Sequence, residues 1–181
     1  MSTKVSRTVQ KVFSLPKCII YHMMGFGHIK ISGLQRWERG FKIYFDGGYF
    51  NIGSGCNFRH DAQLRALDGG VVRIGDKTFM NNNVCITARN KITIGNNVKI
   101  ANNVVVIDHD HDYMNGNKGY KVGSVVIEDG VWIGANAVIL KDTFIGKNSV
   151  IGAGSVVKGV VPSNTVFGGE MASIIKKFEL L

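Results

Sequence analysis

The feature that most constrains the fold is a branched aliphatic residue that recurs every six positions in the C-terminal half of the chain. Its positions are Ile127, Ile133, Ile139, Ile145, Ile151 and Val157. Four positions after each stands a small or β-branched residue: Val131, Ala137, Thr143, Ser149, Ser155 and Val161. A period of six matches neither the 3.6-residue turn of an α-helix nor the alternation of a hairpin sheet.

The same register extends upstream with interruptions. Its aliphatic positions there are Ile74, Met80, Ile86, Ile94, Ile100 and Val106, preceded by a looser set at Ile52, Phe58 and Leu64. Each hexapeptide suits one short strand and a tight turn, with the aliphatic side chain pointing into a narrow core. Three strands would complete a triangular coil, and successive coils would pair their backbones along the axis. Corner segments such as "GNN" and "ANN" supply the positive φ that such bends need.

The segment "VWIGANAVILKDTFIGKNSVIGAGSVVKGVVP" closely resembles the signature of the hexapeptide-repeat acyltransferases. The resemblance covers roughly residues 50–170 and implies an all-β fold, a left-handed parallel β-helix, whose hand comes from the family and not from the periodicity. We expect a basic N-terminal extension that caps the solenoid at residues 1–45 and a β-helix at 46–170 with a protruding loop at 108–124. A short C-terminal helix is expected at 171–181, because a solenoid needs its open ends covered.

Composition and charge fit one folded domain with a basic arm. The 181 residues are 45% hydrophobic, and of the net charge of +9, residues 1–45 carry eight Lys or Arg against one Glu, or +7. Such an arm can meet anionic lipid headgroups or a phosphorylated substrate, or be a solvated basic face. It lacks the dense arginine runs that would predict nucleic-acid binding. Three widely spaced cysteines, with no signal peptide and no long apolar run, predict a cytoplasmic protein with at most weak contact at the inner membrane surface.

The register breaks between Val106 and Ile127, where the chain contains "DHDHDYMNGNKGYKVG". A long loop that leaves a regular solenoid is usually functional. Taken alone, the DHDHD segment suits a metal site, a catalytic base or a solvated turn. Two imidazoles two residues apart can bind zinc or nickel, but a catalytic metal site needs a third ligand, and we expect no metal.

The resemblance to galactoside and maltose acetyltransferases places their catalytic histidine on His111, with His109 as the alternative. A neutral imidazole can remove the proton of an acceptor hydroxyl and pass it to the departing thiolate of coenzyme A. The family's acceptor-contacting asparagine aligns with Asn81, for which an ordinary corner asparagine is the alternative. We also expect Asn83 and His109 to contact the acceptor.

Counting hexapeptides places Asn81 on the second strand of its coil and His111 at the end of the third strand of the next coil. The two residues should therefore lie near different edges of the prism. One substrate can touch both only if a neighbouring subunit brings one of them, which agrees with the homotrimers of the family.

The resemblance also implies that acetyl-coenzyme A lies along the late coils. The residues that it implies as donor contacts are Trp132, Ala135, Ala153, Lys158 and Lys176. Small residues allow the pantetheine arm to approach the backbone, and lysines suit phosphates. The chain departs from the family at 158–160 and 169–173, where a basic residue facing the 3′-phosphate is missing or displaced. Lys158, one position early, can substitute for it.

These observations predict an acetyl-coenzyme A-dependent O-acetyltransferase that acts on a sugar hydroxyl of capsule, exopolysaccharide or lipopolysaccharide. The acceptor would be a sugar, a nucleotide-sugar or a lipid-linked saccharide. The alternatives are an N-acyltransferase of an amino sugar nucleotide, a gamma carbonic anhydrase-like metalloprotein and a non-catalytic β-solenoid. The zinc histidines of gamma carbonic anhydrases are more widely spaced, and His22, His28 and His60 do not supply their pattern.

Overall fold

The structure, a computed structural model, describes residues 16, 19–21, 23, 25, 27–116 and 118–169. Most of the described chain forms a solenoid of parallel strands in which each complete coil contributes one strand to each of three faces. The parallel β-helix predicted from the sequence is therefore confirmed. The helix expected at 171–181 lies outside the described residues. No helix within the described ranges is long and apolar enough to cross a bilayer.

The strands are grouped here by face. Face 1 consists of β1 (Ile29–Ile31), β4 (Tyr49–Ile52), β7 (Val71–Ile74), β10 (Lys91–Ile94), β15 (Ser124–Ile127) and the C-terminal parts of β17 (Val138–Ile145) and β19 (Val156–Val161). Face 2 consists of β2 (Arg36–Trp37), β5 (Asn57–Phe58), β8 (Phe79–Met80), β11 (Lys99–Ile100), β16 (Trp132–Ile133), β18 (Val150–Ile151) and β20 (Val166–Phe167). Face 3 consists of β3 (Lys42–Asp46), β6 (Gln63–Leu67), β9 (Cys85–Ala88), β12 (Val105–Ile107) and the N-terminal parts of β17 and β19. Corners are named by the faces they join, so each coil passes a 1–2, a 2–3 and a 3–1 corner.

The positions of the six-residue repeat face the core. Every aliphatic or aromatic repeat position predicted from Ile52 to Val157 is at most 3% exposed. Because the coils pair in register, equivalent side chains stack: Met80 lies beside Ile100, and Ile100 beside Ile133. Burial of these stacks stabilises the solenoid by roughly 25 cal/mol per Å² of apolar surface.

The solenoid begins upstream of the boundary expected at residue 46. Strands β1, β2 and β3 pair with β4, β5 and β6, so residues 29–46 form a coil. Its positions Ile31, Trp37 and Ile43 keep the six-residue spacing. The ring of Trp37 packs against Phe58 of the next coil, with centroids 6.4 Å apart.

Asparagines hold the left-handed bend at the 2–3 corner. Asn83, Asn103 and Asn136 each have a φ of 59°. The Nδ2 of Asn83 donates to the Oδ1 of Asn103 at 3.1 Å, and the Nδ2 of Asn103 donates to the Oδ1 of Asn136 at 3.1 Å. Asparagine tolerates this backbone region better than most residues with a Cβ atom. The corner residues therefore form a ladder along the prism.

A loop leaves the solenoid at the 3–1 corner, and its base is fastened there. Asp108 is fully buried, and its two carboxylate oxygens accept 2.8 Å hydrogen bonds from the backbone N–H groups of Arg89 and Asn90. The backbone N–H of Gly123 closes the loop by donating to the carbonyl of Asp108 at 2.7 Å. Outside this base the chain forms a hairpin of β13 (His109–His111) and β14 (Tyr120–Val122), with a short 3-10 helix at Tyr113–Asn115 between them. The parallel ladder continues past the loop, because β10 pairs with β15.

Replacing Asn103 by Ala should lower the free energy of unfolding by about 1–2 kcal/mol, because Ala adopts positive φ at greater cost. Asn103→Gly accepts the same backbone and should lose less. Urea unfolding followed by circular dichroism measures both values. Equal midpoints for wild type and Asn103→Ala would contradict the role assigned to the corner.

Replacing Asp108 by Asn should loosen the loop, because an amide offers one acceptor oxygen where two backbone N–H groups need partners. We expect a loss of about 1–3 kcal/mol in stability and faster proteolytic cleavage within 109–122. The matched control is Asp110→Asn, since the Asp110 side chain is 48% exposed and only 3.9 Å from Lys141 in a surface pair. Equal cleavage rates for the two variants would show that Asp108 does not hold the loop.

Candidate functional site

The hairpin carries both histidines of the DHDHD segment outside the solenoid. His111 pairs across the hairpin with Tyr120, and their rings lie 4.8 Å apart between centroids. The His111 side chain is exposed, and no described residue hydrogen-bonds to its ring. Sequence counting placed His111 at the end of a solenoid strand, whereas it lies beyond that strand, in the antiparallel hairpin. An exposed imidazole on a projecting element can reach a molecule bound beside the solenoid.

Tyr120 connects the hairpin to the solenoid. The guanidinium carbon of Arg89 lies 3.5 Å from the centroid of the Tyr120 ring, a cation–π contact. Arg89 also forms an ion pair with Asp68 of the preceding coil, which fixes the guanidinium. The Tyr120 ring contacts His109 as well, in an edge-on arrangement with centroids 5.4 Å apart. The aromatic ring thus holds the two histidines against the 3–1 corner.

His109 has a different environment from His111. Its Nδ1 lies 3.1 Å from the Oδ1 of the buried Asp108, and its side chain is 15% exposed. A carboxylate beside Nδ1 orients an imidazole and leaves Nε2 as the other ring nitrogen. The two histidines therefore divide into one that is anchored to the solenoid and one that is presented to solvent.

The 2–3 corner brings together the asparagines and two of the small residues predicted from the sequence. Asn81 follows β8, and Asn83 lies two residues on at the positive-φ position. Ala135 and Ala153 occupy the same corner in later coils, where the backbone N–H of Gly154 donates to the carbonyl of Ala135 at 2.8 Å. A Cβ atom on Gly134 would lie 2.6 Å from the backbone nitrogen of Ala153, so the coils approach closely here. Along the 2–3 corner, the polar side chains of Asn81 and Asn83 therefore lie in an earlier coil and the small residues Ala135 and Ala153 lie in later coils.

The remaining donor residues are distributed differently. Trp132 projects outward from face 2 beside this corner and is 53% exposed. Lys158 lies at the 3–1 corner, so within one chain face 3 separates it from Ala135 and Ala153. Lys176 lies outside the described residues.

The 3–1 corner next to the hairpin carries several charged groups. Lys141 donates a 2.9 Å hydrogen bond to Asp142, which lowers the pKa of Asp142 and raises the pKa of Lys141. The positive charge of Lys158 contributes to the lowered pKa of Asp142, so Lys158 belongs to the same group. Lys141 and Asp142 therefore remain charged around neutral pH beside the loop that carries His111.

The contacts of Asp108, Arg89 and Tyr120 were not predicted from the sequence. The alternation of the strand could have predicted that the Asp108 side chain points into the core, because Val104 and Val106 precede it at alternate positions and all three are buried. No sequence pattern predicts the contact between Arg89 and Tyr120, because it depends on how the loop folds back. In the described ranges, no group of three or more His, Cys, Asp or Glu side chains could hold a metal ion.

Comparison with known proteins identifies the family and the fold of the chain. Residues 124–159 match the family described as "Bacterial transferase hexapeptide (six repeats)". A putative lipopolysaccharide biosynthesis O-acetyl transferase of Escherichia coli, WbbJ, is 37% identical over 142 residues, which cover 71% of this chain and 72% of WbbJ.

Two solved structures show the same architecture. A hexapeptide-repeat-containing acetyltransferase from Vibrio cholerae, complexed with acetyl coenzyme A, has a TM-score of 0.55 and 26% identity, with 98% of this chain and 91% of that chain covered. A mutant of AntD, an N-acyltransferase from Bacillus cereus in complex with dTDP-4-amino-4,6-dideoxyglucose and coenzyme A, has a TM-score of 0.68 over 89% of each chain. Its identity is 21%, so that likeness concerns the fold alone, and it confirms the predicted left-handed β-helix. Together with the identity to WbbJ, these findings show that the chain belongs to the hexapeptide-repeat family of acetyltransferases.

Proposed function

We propose that the protein is an acetyl-coenzyme A-dependent O-acetyltransferase that modifies a sugar hydroxyl in the synthesis of a surface polysaccharide. The observation that carries this proposal is the hairpin at the 3–1 corner, which presents His111 outside an otherwise regular solenoid. The relationship to WbbJ supports the O-acetyl transfer, and the acetyl coenzyme A complex of the Vibrio cholerae protein supports the donor.

In the proposed reaction His111 is the general base. Its neutral imidazole takes the proton of the acceptor hydroxyl as the oxygen forms a bond to the thioester carbonyl carbon. The carbon–sulfur bond then breaks, and the imidazolium returns the proton to the thiolate of coenzyme A. The acyl group passes directly to the acceptor. Tyr120 and Arg89 would keep His111 in place, while His109, held by Asp108, would line the acceptor side.

The donor would lie along the 2–3 corner of the late coils. Ala135 and Ala153 leave room for the pantetheine arm beside the backbone, and the exposed indole of Trp132 offers an apolar surface next to them. Lys158 and Lys176 would bind the phosphates of coenzyme A. Because Lys158 is at the 3–1 corner, it would serve a donor held between two subunits.

The acceptor site would be shared between chains of a homotrimer. Asn81 and Asn83 lie at the 2–3 corner, whereas His111 projects from the 3–1 corner of the next coil. A cyclic trimer repeats one heterologous interface three times, so each site would combine the asparagines of one chain with His111 of its neighbour.

N-acylation of an amino sugar nucleotide is the second candidate. AntD, which shares the fold, is an N-acyltransferase solved with an amino sugar nucleotide. The same histidine base can serve an amine, so acceptors of both classes belong in the assay. We further propose a cytoplasmic location, with the lysines and arginines before residue 28 at the inner membrane surface; all four of them lie outside the described residues.

Release of coenzyme A thiol from acetyl-coenzyme A, measured over a panel of sugars and sugar nucleotides, tests the proposal. His111→Ala should lower kcat by about 10²–10⁴, because the base is lost. His109→Ala should retain most of the rate, since it changes the acceptor side and not the base. Collapse of the rate in His109→Ala alone would assign the base to His109. A silent calorimetric titration with acetyl-coenzyme A would contradict the acyltransferase itself and favour the carbonic anhydrase-like or non-catalytic alternatives.

Mixed trimers test the shared site. His111→Ala and Asn81→Ala chains, each inactive alone, should regain activity when they are co-expressed, because some interfaces then pair an intact His111 with an intact Asn81. Random assortment makes about one quarter of the sites intact. If both residues act within one chain, the mixed preparation will be as inactive as either variant.

A further inference from the structure

Four side chains of the first two coils converge next to the proposed acceptor site. Glu38 is buried, with its side chain 5% exposed, and it forms three ion pairs. One carboxylate oxygen accepts from the Nη2 of Arg36 at 2.9 Å. The other lies 3.0 Å from the Nε of Arg59 and 3.0 Å from the Nε2 of His60. We call Arg36, Glu38, Arg59 and His60 the Glu38 cluster.

The Glu38 cluster lies one coil from Asn81 along the 2–3 corner. The backbone N–H of Arg59 donates to the carbonyl of Met80 at 2.9 Å, and the N–H of Asn83 donates to the carbonyl of His60 at 3.0 Å. Arg59 and Asn81 are therefore register neighbours on adjacent coils, roughly 4.8 Å apart along the axis. The cluster lies on the opposite side of Asn81 from the small residues of the proposed donor edge.

The cluster presents positive charge to solvent. The side chains of Arg59 and His60 are 36% and 50% exposed. Besides His60, the charged side chains of the cluster and of the 2–3 corner beside it are the guanidiniums of Arg36, Arg39 and Arg59 and the carboxylates of Glu38 and Asp61. Three positive and two negative charges leave a net charge of +1.

Glu38 also pre-organises Arg59. The carboxylate lies 3.0 Å from Nε in an ion pair that does not have hydrogen-bond geometry, and the two terminal amino groups of the guanidinium have no hydrogen-bond partner among the described residues. A guanidinium held at one edge with its other donors free suits a phosphate oxygen, because the hydrogen bonds are charge-assisted and the side-chain entropy is already lost.

We propose that the Glu38 cluster binds the phosphate groups of a phosphorylated acceptor, a sugar diphosphate ester, whose sugar ring lies over Asn81. This proposal rests on the proposed acyltransferase function, because it takes Asn81 as the acceptor contact. The order along the corner is then phosphate, sugar and acyl donor, so the reacting hydroxyl faces the late coils while the diphosphate lies over Arg59 and His60. A nucleoside diphosphate and a lipid diphosphate share this chemistry.

Calorimetric titration with inorganic pyrophosphate at low salt tests the proposal directly. Saturating coenzyme A is present throughout, so that the donor site cannot bind the probe. Wild type should bind pyrophosphate, and Arg59→Gln should raise Kd at least about tenfold, because charge-assisted hydrogen bonds are lost. His60→Gln should raise it less. The matched control is Arg73→Gln, which removes an exposed guanidinium from face 1.

A double variant and two further ligands are titrated in the same way. Arg59→Gln leaves the buried carboxylate of Glu38 with one fewer partner, which can destabilise the protein. The double variant Glu38→Gln/Arg59→Gln avoids this, because an uncharged amide replaces that carboxylate. Uridine diphosphate and farnesyl diphosphate replace pyrophosphate in parallel titrations, and the tighter ligand identifies a nucleotide or a lipid as the source of the diphosphate.

Pyrophosphate that does not bind wild type, or binds it and both Arg59 variants equally, would overturn the proposal and leave the cluster as an ion-pair group that stabilises two coils. The coenzyme A titration that precedes each experiment separates the two hypotheses. Failure to bind coenzyme A speaks against the acyltransferase, whereas normal coenzyme A binding without a pyrophosphate response speaks against the phosphate site alone.

Discussion

Hydrogen bonding between parallel strands of successive coils is the constraint on which the rest of the structure depends. Each strand must find its partner one coil away, so every coil needs the same corners at equivalent positions. Stacks such as Met80, Ile100 and Ile133 follow from that register, as do the Asn83, Asn103 and Asn136 ladder and its positive φ angles. Residues that exceed the length of a coil can leave the solenoid only at a corner.

The hairpin that carries His109 and His111 is a consequence of the same constraint. Residues 109–122 project from the 3–1 corner, while Asp108 and Gly123 close the ladder beneath them. A fully buried carboxylate is tolerable at this point because both of its oxygens accept backbone hydrogen bonds. The hairpin is then oriented from outside by the contact between Arg89 and Tyr120. The solenoid thereby carries the imidazoles of His109 and His111 on a hairpin outside its core, and the strand ladder beneath the hairpin continues.

The corners also explain where chemistry can be placed on a prism. Side chains inside the solenoid pack against one another in the core. Corner residues repeat along the axis at the spacing of neighbouring strands. Arg59 and Asn81 are neighbours along one such edge, and Ala135 and Ala153 occupy it further on. Specific groups for successive parts of an extended substrate can thus be arranged in one line, each contributed by a different coil.

The sequence by itself determined the repeat, the inward residues from Ile52 to Val157, the bends and the loop that carries His109 and His111, because these depend on local spacing and backbone preference. The first coil escaped prediction, although its positions Ile31, Trp37 and Ile43 keep the six-residue spacing. Only the tertiary structure decided that Tyr120 contacts both Arg89 and His111, and that the Glu38 cluster borders Asn81. Those contacts join residues of different coils or opposite strands of the hairpin, and their register follows from coil length and loop closure, which no local pattern encodes.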